Sequence, residues 1–404
     1  MLTKLLLVSG SAEDTKKLTR ETHHILRTNL QMGDQVEILE TKIGDEILNG
    51  TLKNHAHPLV ACSFIDGETR VEGGKTTLYD TVRGKHVVLV DHLFTPTRKE
   101  SPNDNIHRVR GLLNLCRGVE LPQITLATPY LPYVRAHSIP SYKKKGFHQF
   151  DSLTMMLKDF QKDGLDGILT IHLHSQRATQ IAEDLRMFLY EANPFQSARK
   201  INPFKLGFTT GKVKQAKTFL KHLRPFQERF GIYKNRGRKL YTVSVDDGTE
   251  SRTENFSERA FSDLDPGELF ALVAYLGKGR DSFGDPTNSS FKHFSQINES
   301  NIDPKGIFIM ADDMIASGGT ADKSAALIKK GSSRAKVELW VSHPVIVGEQ
   351  IPRVNELPTI DKIVCLDTVP QFPNLNVEII PASAYFLAGM IYKTHQKLVT
   401  TRYS

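Results

Sequence analysis

Short apolar runs alternate with amphipathic segments along most of the chain. Residues 5–8 form an apolar run before a Ser-Gly-Ser turn, which predicts a buried strand, and residues 12–30 have helical periodicity. The pairing recurs where residues 86–90 predict a strand and residues 102–117 predict a helix. Strands that alternate with helices are typical of an α/β fold with a mainly parallel sheet.

The alternation restarts in the second half of the chain. Residues 212–223 predict a helix and residues 230–233 predict a strand. The polar segment 241–305 that follows is rich in Ser, Asp, Glu and Asn; it predicts one helix at 266–276 and a loop at 277–288. The sequence therefore predicts two α/β domains, with a less regular segment in the second.

The predicted domain boundaries follow from this restart. We place an N-terminal domain at residues 1–195 and a second domain at 196–385. The second domain carries an insertion at about 240–305, and a C-terminal helix and tail occupy 386–404.

The most distinctive stretch is GIFIMADDMIASGGT, which ends at Thr320. Its apolar run predicts a buried strand, and Asp312 and Asp313 follow at the predicted carboxyl end. The Ser317-Gly318-Gly319-Thr320 turn opens a predicted helix; glycine backbone, free N–H groups and two hydroxyls suit a phosphate there. The two carboxylates could accept from sugar hydroxyls or hold a cation, so the stretch favours a phosphorylated ribose over an ordinary capped βα unit.

Composition narrows the function classes. The 404 residues include 39% apolar and 24% charged residues, which indicates an ordinary globular protein. A net charge of +8 spread along the chain does not require nucleic acid as a partner. The first apolar run is too short to span a membrane, and three widely spaced cysteines indicate neither disulfides nor a zinc site. We therefore expect a cytoplasmic protein.

Several short sequence motifs occur in the order found in phosphoribosyl pyrophosphate (PRPP) synthetases, and the similarity runs from about residue 5 to residue 395. The motifs are Phe64-x-Asp66-Gly67-Glu68, Val82-Arg83-Gly84-Lys85, Asn103-Asp104-Asn105, Pro129-Tyr130-x-x-Tyr133-x-Arg135, Leu173-His174, Lys234-x-Arg236, Asp312-Asp313, Gly318-Gly319-Thr320 and His343-Pro344-Val345. The chain thus resembles a divergent member of this family of ribose-phosphate diphosphokinases, which implies two tandem phosphoribosyltransferase-like (Rossmann-like) domains.

The resemblance also implies roles for individual residues. Phe64, Asp66 and Glu68 would hold adenine from a neighbouring subunit, so a homo-oligomer is expected. Arg135 would meet the ATP triphosphate and His174 the ATP-bound Mg²⁺, while Lys234 and Arg236 would close over the transferring group. Asp312 and Asp313 would hold the ribose hydroxyls or their Mg²⁺, and the residues from Ser317 to Thr320 would hold the 5-phosphate: Ser317, Gly318, Gly319 and Thr320.

Departures from the family pattern lie mostly in the ATP half. Ala136-His137-Ser138 replaces Gln-Asp-Arg, and His172 replaces the Asp two residues before the metal histidine. Phe208-Thr209 replaces a Pro-Asp pair that would supply a second magnesium ligand. In the PRPP-type loop, Ala316 stands where the family has its third acid.

Three functions remain open from the sequence. The leading one is an ATP-dependent diphosphokinase that makes PRPP from ribose 5-phosphate. Loss of the acid at Ala316, together with the insertion, could admit a larger acceptor such as ADP-ribose and link the protein to NAD metabolism. The lost phosphate and metal contacts would also suit a non-catalytic, synthetase-associated regulatory subunit, although the retained Lys234, Arg236 and aspartates argue against it.

Overall fold

The structure, a computed structural model, describes most of the chain as two units. The described residues are 4–43, 59–63, 69–73, 75–98, 100–117, 123–135, 150–195, 213–234, 239–244, 273–280, 286–294 and 305–401. The first unit gathers the described residues up to Ala192, then 213–219, and Ser383–Thr401. The second unit contains residues 193–195 and those from Leu220 to Ala382.

Six parallel strands form the main sheet of the first unit. They are β1 (Leu5–Ser9), β2 (Val36–Glu40), β6 (His86–Val90), β7 (Gln123–Ala127), β8 (Gly167–Ile171) and β9 (Phe188–Ala192). Their spatial order is β2-β1-β6-β7-β8-β9. Every residue of β1, β6 and β8 is buried, which is expected for central strands covered on both faces.

Helices and a small second sheet complete the first unit. The helices are α1 (Glu13–Thr28), α2 (Lys75–Val82), α3 (Pro102–Arg117), α4 (Ser152–Lys162), α5 (Arg177–Asp184), α6 (Val213–His222), which runs across the unit boundary, and α10 (Ser383–Thr401). The small sheet contains β3 (Lys42–Ile43), β4 (Leu59–Ser63) and β5 (Thr69–Gly73), and β4 pairs antiparallel with β5.

The second unit is built on a seven-stranded sheet. In chain order its elements are α7 (Pro225–Lys234), β10 (Leu240–Ser244), β11 (Val273–Arg280), β12 (Pro286–Phe294), β13 (Ile307–Ile315), α8 (Gly319–Gly331), β14 (Lys336–Pro344), α9 (Ile351–Asn355), β15 (Lys362–Leu366) and β16 (Glu378–Ile380). The spatial order is β12-β11-β10-β13-β14-β15-β16, and all neighbours are parallel except β11 and β12.

Alternate residues of the central strands face the two sides of this sheet. Phe308, Met310 and Val337 belong to one buried cluster with Ala325 and Ile328 of α8. The neighbouring positions face α7 instead, since the Tyr233 hydroxyl donates to Glu338 Oε1 at 2.6 Å. The Trp340 Nε1–H donates to Glu338 Oε2 at 2.9 Å, and its ring stacks on Phe226. Each face of the sheet is therefore covered by a helix, as the period of two in a strand requires.

The predicted fold class, two α/β units with mainly parallel sheets, is confirmed. The strand predicted at 230–233 is wrong, because these residues belong to α7. The helix predicted at 266–276 is wrong where the structure describes it, because β11 begins at Val273, and β11 and β12 occupy much of the predicted loop at 277–288. Nothing tests the predicted domain boundaries, which stay predictions. Within the described residues, no helix is both long and apolar enough to cross a bilayer.

Candidate functional site

The turn after β13 has the geometry of an anion site in the second unit. Gly318 is the N-cap of α8 and has a φ of 70°, a left-handed conformation that favours glycine. The first helical hydrogen bond runs from Asp322 N–H to the Gly318 carbonyl at 2.9 Å. The N–H groups of Gly319, Thr320 and Ala321 therefore have no acceptor within the helix and form its positive end. Ser317 is partly exposed and Thr320 is exposed.

Asp312 and Asp313 lie inside β13 rather than at its carboxyl end. The strand continues beyond both aspartates to Ile315, so the strand end predicted from the sequence is too early. Consecutive strand residues point to opposite faces, and Asp313 is only 2% exposed whereas Asp312 is partly exposed. The Asp313 N–H donates to Asp312 Oδ1 at 2.8 Å. Asp312 is therefore the more accessible of the two predicted acceptors.

Helix α9 and the residues after it fold over the glycine turn. A Cβ on Gly318 would lie 2.5 Å from the Leu357 Cδ1 methyl, and a Cβ on Gly319 would lie 2.5 Å from Arg353 Nη2. Thr359 fixes this segment to the first turn of α8, because its N–H and its hydroxyl both bond to Asp322 Oδ1. The sequence analysis missed Arg353, since the residue lies 34 positions after Gly319 and belongs to no motif.

The end of β14 supports the turn from the other side. The Val345 N–H donates to the Ile315 carbonyl at 2.8 Å, which ties the chain after β14 to the last residue of β13. His343 is 1% exposed, and its Nδ1 lies 2.9 Å from the Thr368 hydroxyl. The His343-Pro344-Val345 motif therefore has a structural role, because it joins the carboxyl ends of β13 and β14.

In the first unit, the structure brings Arg135 and His174 to one edge of the sheet. Strands β7 and β8 are parallel neighbours, and the two residues lie beyond their carboxyl ends. Arg135 is exposed and His174 is partly exposed. In α/β sheets, ligands bind beyond the carboxyl ends of the strands, so this edge is a candidate nucleotide site.

Two residues just before them adopt left-handed backbone conformations. Tyr133 has a φ of 65° and His172 a φ of 41°, which are uncommon for residues with a Cβ. The apolar run at 167–173 predicts a strand with His172 and His174 on the same side, but β8 ends at Ile171, so this prediction is wrong. Left-handed residues outside glycine cluster at functional sites, where the surrounding structure holds them.

The aromatic pair Tyr130 and Tyr133, followed by Arg135 beyond a strand end, predicts a place for a purine and its phosphates, but Tyr130 does not present its ring there. Tyr130 is only 6% exposed, and its ring packs edge-on against Phe94 at a centroid distance of 6.0 Å. The Tyr133 hydroxyl donates to the side chain of Asn103 in α3. Both rings therefore serve the packing of this edge.

A buried ion pair lies at the same edge of the first sheet and was not predicted. Asp91, directly after β6, is 1% exposed and accepts from the Thr15 hydroxyl at 3.1 Å. Its Oδ2 is 3.8 Å from Nε of Arg108, and burial raises the pKa of the carboxyl group. Gly10 packs so closely here that a Cβ would meet Asp91 Oδ2 at 2.4 Å.

The described backbone places Lys234 at the end of a helix of the second unit. Lys234 is the last residue of α7, and Lys239 accepts from the N–H of Ile307 at the start of β13. Lys239 therefore lies at the amino ends of β10 and β13, whereas the turn follows the carboxyl end of β13. The catalytic role of Lys234 stays a prediction. Arg236, Phe64, Asp66 and Glu68 lie outside the described residues.

Metal ligands are sparse in the described ranges. Among those residues, no group of three or more His, Cys, Asp and Glu side chains could hold a metal ion. Asp312 is a carboxylate at the accessible side of the second sheet, and His174 is an imidazole at the edge of the first. Mg²⁺ is commonly held by one or two carboxylates together with substrate phosphates, so Asp312 fits such a role.

Comparison with known proteins gives relatives of one kind. No family model matches the chain. Ribose-phosphate pyrophosphokinase from Ralstonia nicotianae is 25% identical over 309 residues, 76% of each chain. That from Rhodopirellula baltica is 24% identical over 307 residues, 76% of this chain and 77% of the relative. The chloroplastic ribose-phosphate pyrophosphokinase 5 of Arabidopsis thaliana is 23% identical over 338 residues, 82% of this chain and 68% of the relative.

A solved structure has the same fold. The crystal structure of phosphoribosylpyrophosphate synthetase from Mycobacterium smegmatis superposes with a TM-score of 0.62 at 16% identity, over 98% of this chain and 99% of that one. The similarity of fold and the similarity of sequence therefore agree. They confirm the resemblance that the sequence motifs predict. Because these relatives are transferases, they also confirm the predicted enzyme type.

Proposed function

Because the chain is a divergent relative of the ribose-phosphate pyrophosphokinases, we propose that it transfers the β,γ-diphosphate of ATP to the anomeric hydroxyl of ribose 5-phosphate. The products are PRPP and AMP. The observation that carries the proposal is the strand–turn–helix unit from Asp312 to Thr320, which combines an accessible carboxylate, a left-handed glycine and a free helix N-terminus.

The acceptor occupies the glycine turn in this proposal. Its 5-phosphate accepts from the N–H groups of the first turn of α8 and from the Ser317 and Thr320 hydroxyls. Asp312 accepts from the ribose hydroxyls. Asp313 is buried beneath it, and its N–H holds the Asp312 carboxylate in place. These contacts fix the anomeric hydroxyl relative to the strand end, which supplies the orientation that a transfer reaction needs.

ATP occupies the edge of the first unit. Arg135 meets the triphosphate as a guanidinium that can pair with two phosphate oxygens. His174 and the left-handed residues before it shape the loops around the phosphates. The predicted adenine residues, Phe64, Asp66 and Glu68, act from a neighbouring subunit, which makes a homo-oligomer part of the proposal.

The residues of the chain bind and orient the two substrates, and no covalent intermediate with the protein forms. The anomeric oxygen attacks the β-phosphorus, the bond from that phosphorus to the oxygen bridging to the α-phosphorus breaks, and this oxygen leaves on AMP. The hydroxyl proton is released to water. Bound Mg²⁺ would neutralise charge on the phosphate oxygens, with Asp312 and His174 as its candidate protein ligands.

One observation favours a second function, that of a non-catalytic regulatory subunit. The family's basic loop would close over the transferring group, yet Lys239, five residues after Lys234, lies at the amino end of β13, and the turn follows the other end of that strand. A chain whose basic residues stay at that end would bind ribose phosphate without transferring the diphosphate. Release of AMP distinguishes the two functions.

The test is AMP release from ATP and Mg²⁺ by purified protein with ribose 5-phosphate, with ADP-ribose, or without an acceptor. We expect release that depends on ribose 5-phosphate. Release only with ADP-ribose would identify the acceptor as a larger compound that contains ribose 5-phosphate, which is the alternative that Ala316 favours. No release with either, combined with measurable ribose 5-phosphate binding, would support the regulatory function.

A further inference from the structure

Arg353 places an unexplained positive charge at the glycine turn. Its Nη2 lies 2.5 Å, and its Cζ 3.5 Å, from the point that a Cβ of Gly319 would occupy. Ser317 Oγ is 4.0 Å from the same point. The guanidinium and a hydroxyl donor therefore face the same part of the Gly319 backbone, at the start of α8.

No acidic side chain in the described part of the chain pairs with this guanidinium. The nearest acids along its own segment are Glu349, four residues before it, and Glu356, three residues after it; both are exposed. Ion pairs and hydrogen bonds elsewhere in the second unit are made by other residues, such as Arg229 with Glu378 and Lys329 with Asp361. The side chain of Arg353 thus faces the turn without an anion of the protein.

Arg353 is exposed, so solvent screens its repulsion from the helix end, but the two positive groups together attract an anion. The first turn of a helix carries a partial positive charge, equivalent to roughly half an elementary charge. A guanidinium beside it adds a second positive charge, and the two repel. An anion between them is attracted by both, and a guanidinium matches the geometry of phosphate through two parallel N–H donors.

We infer that Arg353 is a direct ligand of the phosphate bound at the Gly318-Gly319 turn and that it makes this subsite selective for phosphorylated acceptors. This inference deepens the proposed function, on which its substrate assignment rests. Gly319 then has a second physical reason to be glycine. Its φ is not left-handed, so the absence of a Cβ matters here because it leaves room for Arg353 and not because of the backbone conformation.

The backbone of Arg353 is held by its surroundings, and its side chain is exposed. Pro352 lies in the first turn of α9, where its restricted φ suits a helix start. Ile351 and Val354 on either side are 5% and 2% exposed, so the backbone of α9 is anchored in the core of the unit. The arginine is therefore presented from a packed element and not from a loose loop.

The test measures phosphate binding by the full chain and by two variants of Arg353. Isothermal titration with ribose 5-phosphate and with inorganic phosphate gives the affinities. Arg353→Gln removes the charge, and we expect affinity for both probes to fall about tenfold to a hundredfold, the loss of one charge-assisted contact. Arg353→Lys keeps a charge without the planar fork, and we expect an intermediate loss.

A spectroscopic reading separates direct contact from a structural effect. The second ionisation of a phosphate monoester has a pKa of about 6. A guanidinium in contact lowers that pKa, so the ³¹P shift of bound ribose 5-phosphate should titrate at lower pH in the wild type than in Arg353→Gln. The matched control is Arg334→Gln, an exposed arginine of the same unit located before β14, which should behave like the wild type.

Each result has a definite meaning. Affinities within twofold of wild type and an unchanged ³¹P midpoint in Arg353→Gln would overturn the role of Arg353 and leave the proposed function standing if AMP is still released. Binding of inorganic phosphate that depends on Arg353, without AMP release, would keep the phosphate subsite and remove the proposed function. Absence of binding of both probes to the wild type would overturn the subsite itself.

Discussion

The two sheet edges proposed to bind substrates differ in whether their polar side chains bond to other protein groups. At the edge of the second sheet, Thr320, Ser317 and the guanidinium of Arg353 surround a helix N-terminus whose N–H groups have no acceptor in the helix. At the edge of the first sheet, many polar groups bond one another: Thr15 with Asp91, Arg98 with Asp14, Asn105 with Thr95 and Arg108, and Tyr133 with Asn103.

This difference shows where each unit has room for a ligand. Among the described residues, the N–H groups at the start of α8 have no acceptor in the helix, so a phosphate can bind there with little rearrangement. At the first edge most polar side chains bond one another, although Asp91 Oδ2 and Arg108 Nε have no hydrogen-bond partner among the described residues. The exposed or partly exposed candidates at this edge are Arg135 and His174. We therefore expect the acceptor subsite to tolerate few substitutions and the nucleotide edge to depend on a small number of residues.

The largest expected effect comes from Asp312→Asn. The amide cannot act as an anionic acceptor for ribose hydroxyls or as a ligand for a cation, so we expect AMP release to fall by about a hundredfold or more. Thermal unfolding should change little, because Asp312 is partly exposed. The control is Glu228→Gln, an exposed acid on α7. Equal activity of both variants would remove Asp312 from the site.

We expect a loss of stability of the first unit when the pH is lowered. His86 and His395 stack at a ring distance of 5.5 Å, and His86 Nε2 lies 2.9 Å from the Thr125 hydroxyl. Burial lowers the pKa of His86 from 6.5 to about 3 and that of His395 to about 4. Both rings are neutral when folded, so their stability contribution is present above pH 6.5 and is lost as pH falls toward the folded pKa values.

Unfolding of this unit takes up two protons in that range. The free energy of unfolding should therefore fall by up to about 2.7 kcal/mol per pH unit below pH 6.5, and by about half as much in His395→Phe. Urea unfolding at pH 7.5, 6.0 and 5.0 measures both slopes. The same slope in the variant and the wild type would contradict the assigned pair.

The two glycines of the second edge should differ in their effect on stability. Gly318→Ala forces a Cβ into a left-handed backbone and toward Leu357, so we expect a loss of about 1–3 kcal/mol in the free energy of unfolding. Gly319→Ala meets only the flexible end of Arg353, so its cost should stay below about 0.5 kcal/mol while phosphate affinity falls. Chemical denaturation of the two variants gives the comparison; equal costs would refute it.

The smallest expected effect is that of Lys234→Ala. Because Lys239, five residues after Lys234, lies at the amino ends of β10 and β13, we expect AMP release to change by less than about threefold, below the effect of a lost catalytic contact. Arg135→Ala, at the edge of the first sheet, should instead raise the KM for ATP. A loss of tenfold or more in Lys234→Ala would restore the catalytic role predicted for Lys234 and Arg236.

Local patterns predicted most of the regular elements. The strand at 86–90 and the helix at 102–117 have the bounds that their apolar periodicity and capping residues indicate. The segment at 230–233 was misassigned because a short apolar run does not distinguish a strand from a buried helix turn, and packing against Trp340 selects the helix.

The site was predictable where it is local in sequence. Asp312, Gly318 and Gly319 lie within one strand–turn–helix unit, so their spacing in the sequence predicts that they lie close together. Arg353 reaches the turn only because α9 folds back over it, and Asp91 meets Arg108 only across the sheet edge. Such contacts between distant segments leave no signature in one sequence.

The measurement that tests the central claim most directly is a ³¹P NMR time course of ATP, Mg²⁺ and ribose 5-phosphate with the purified protein. We predict that the three ATP resonances are replaced in equal amounts by AMP and by a diphosphate on the anomeric carbon, while the 5-phosphate resonance persists as a monoester. Unchanged ATP, or its conversion to ADP and inorganic phosphate, would contradict the transfer of a diphosphate group by this chain.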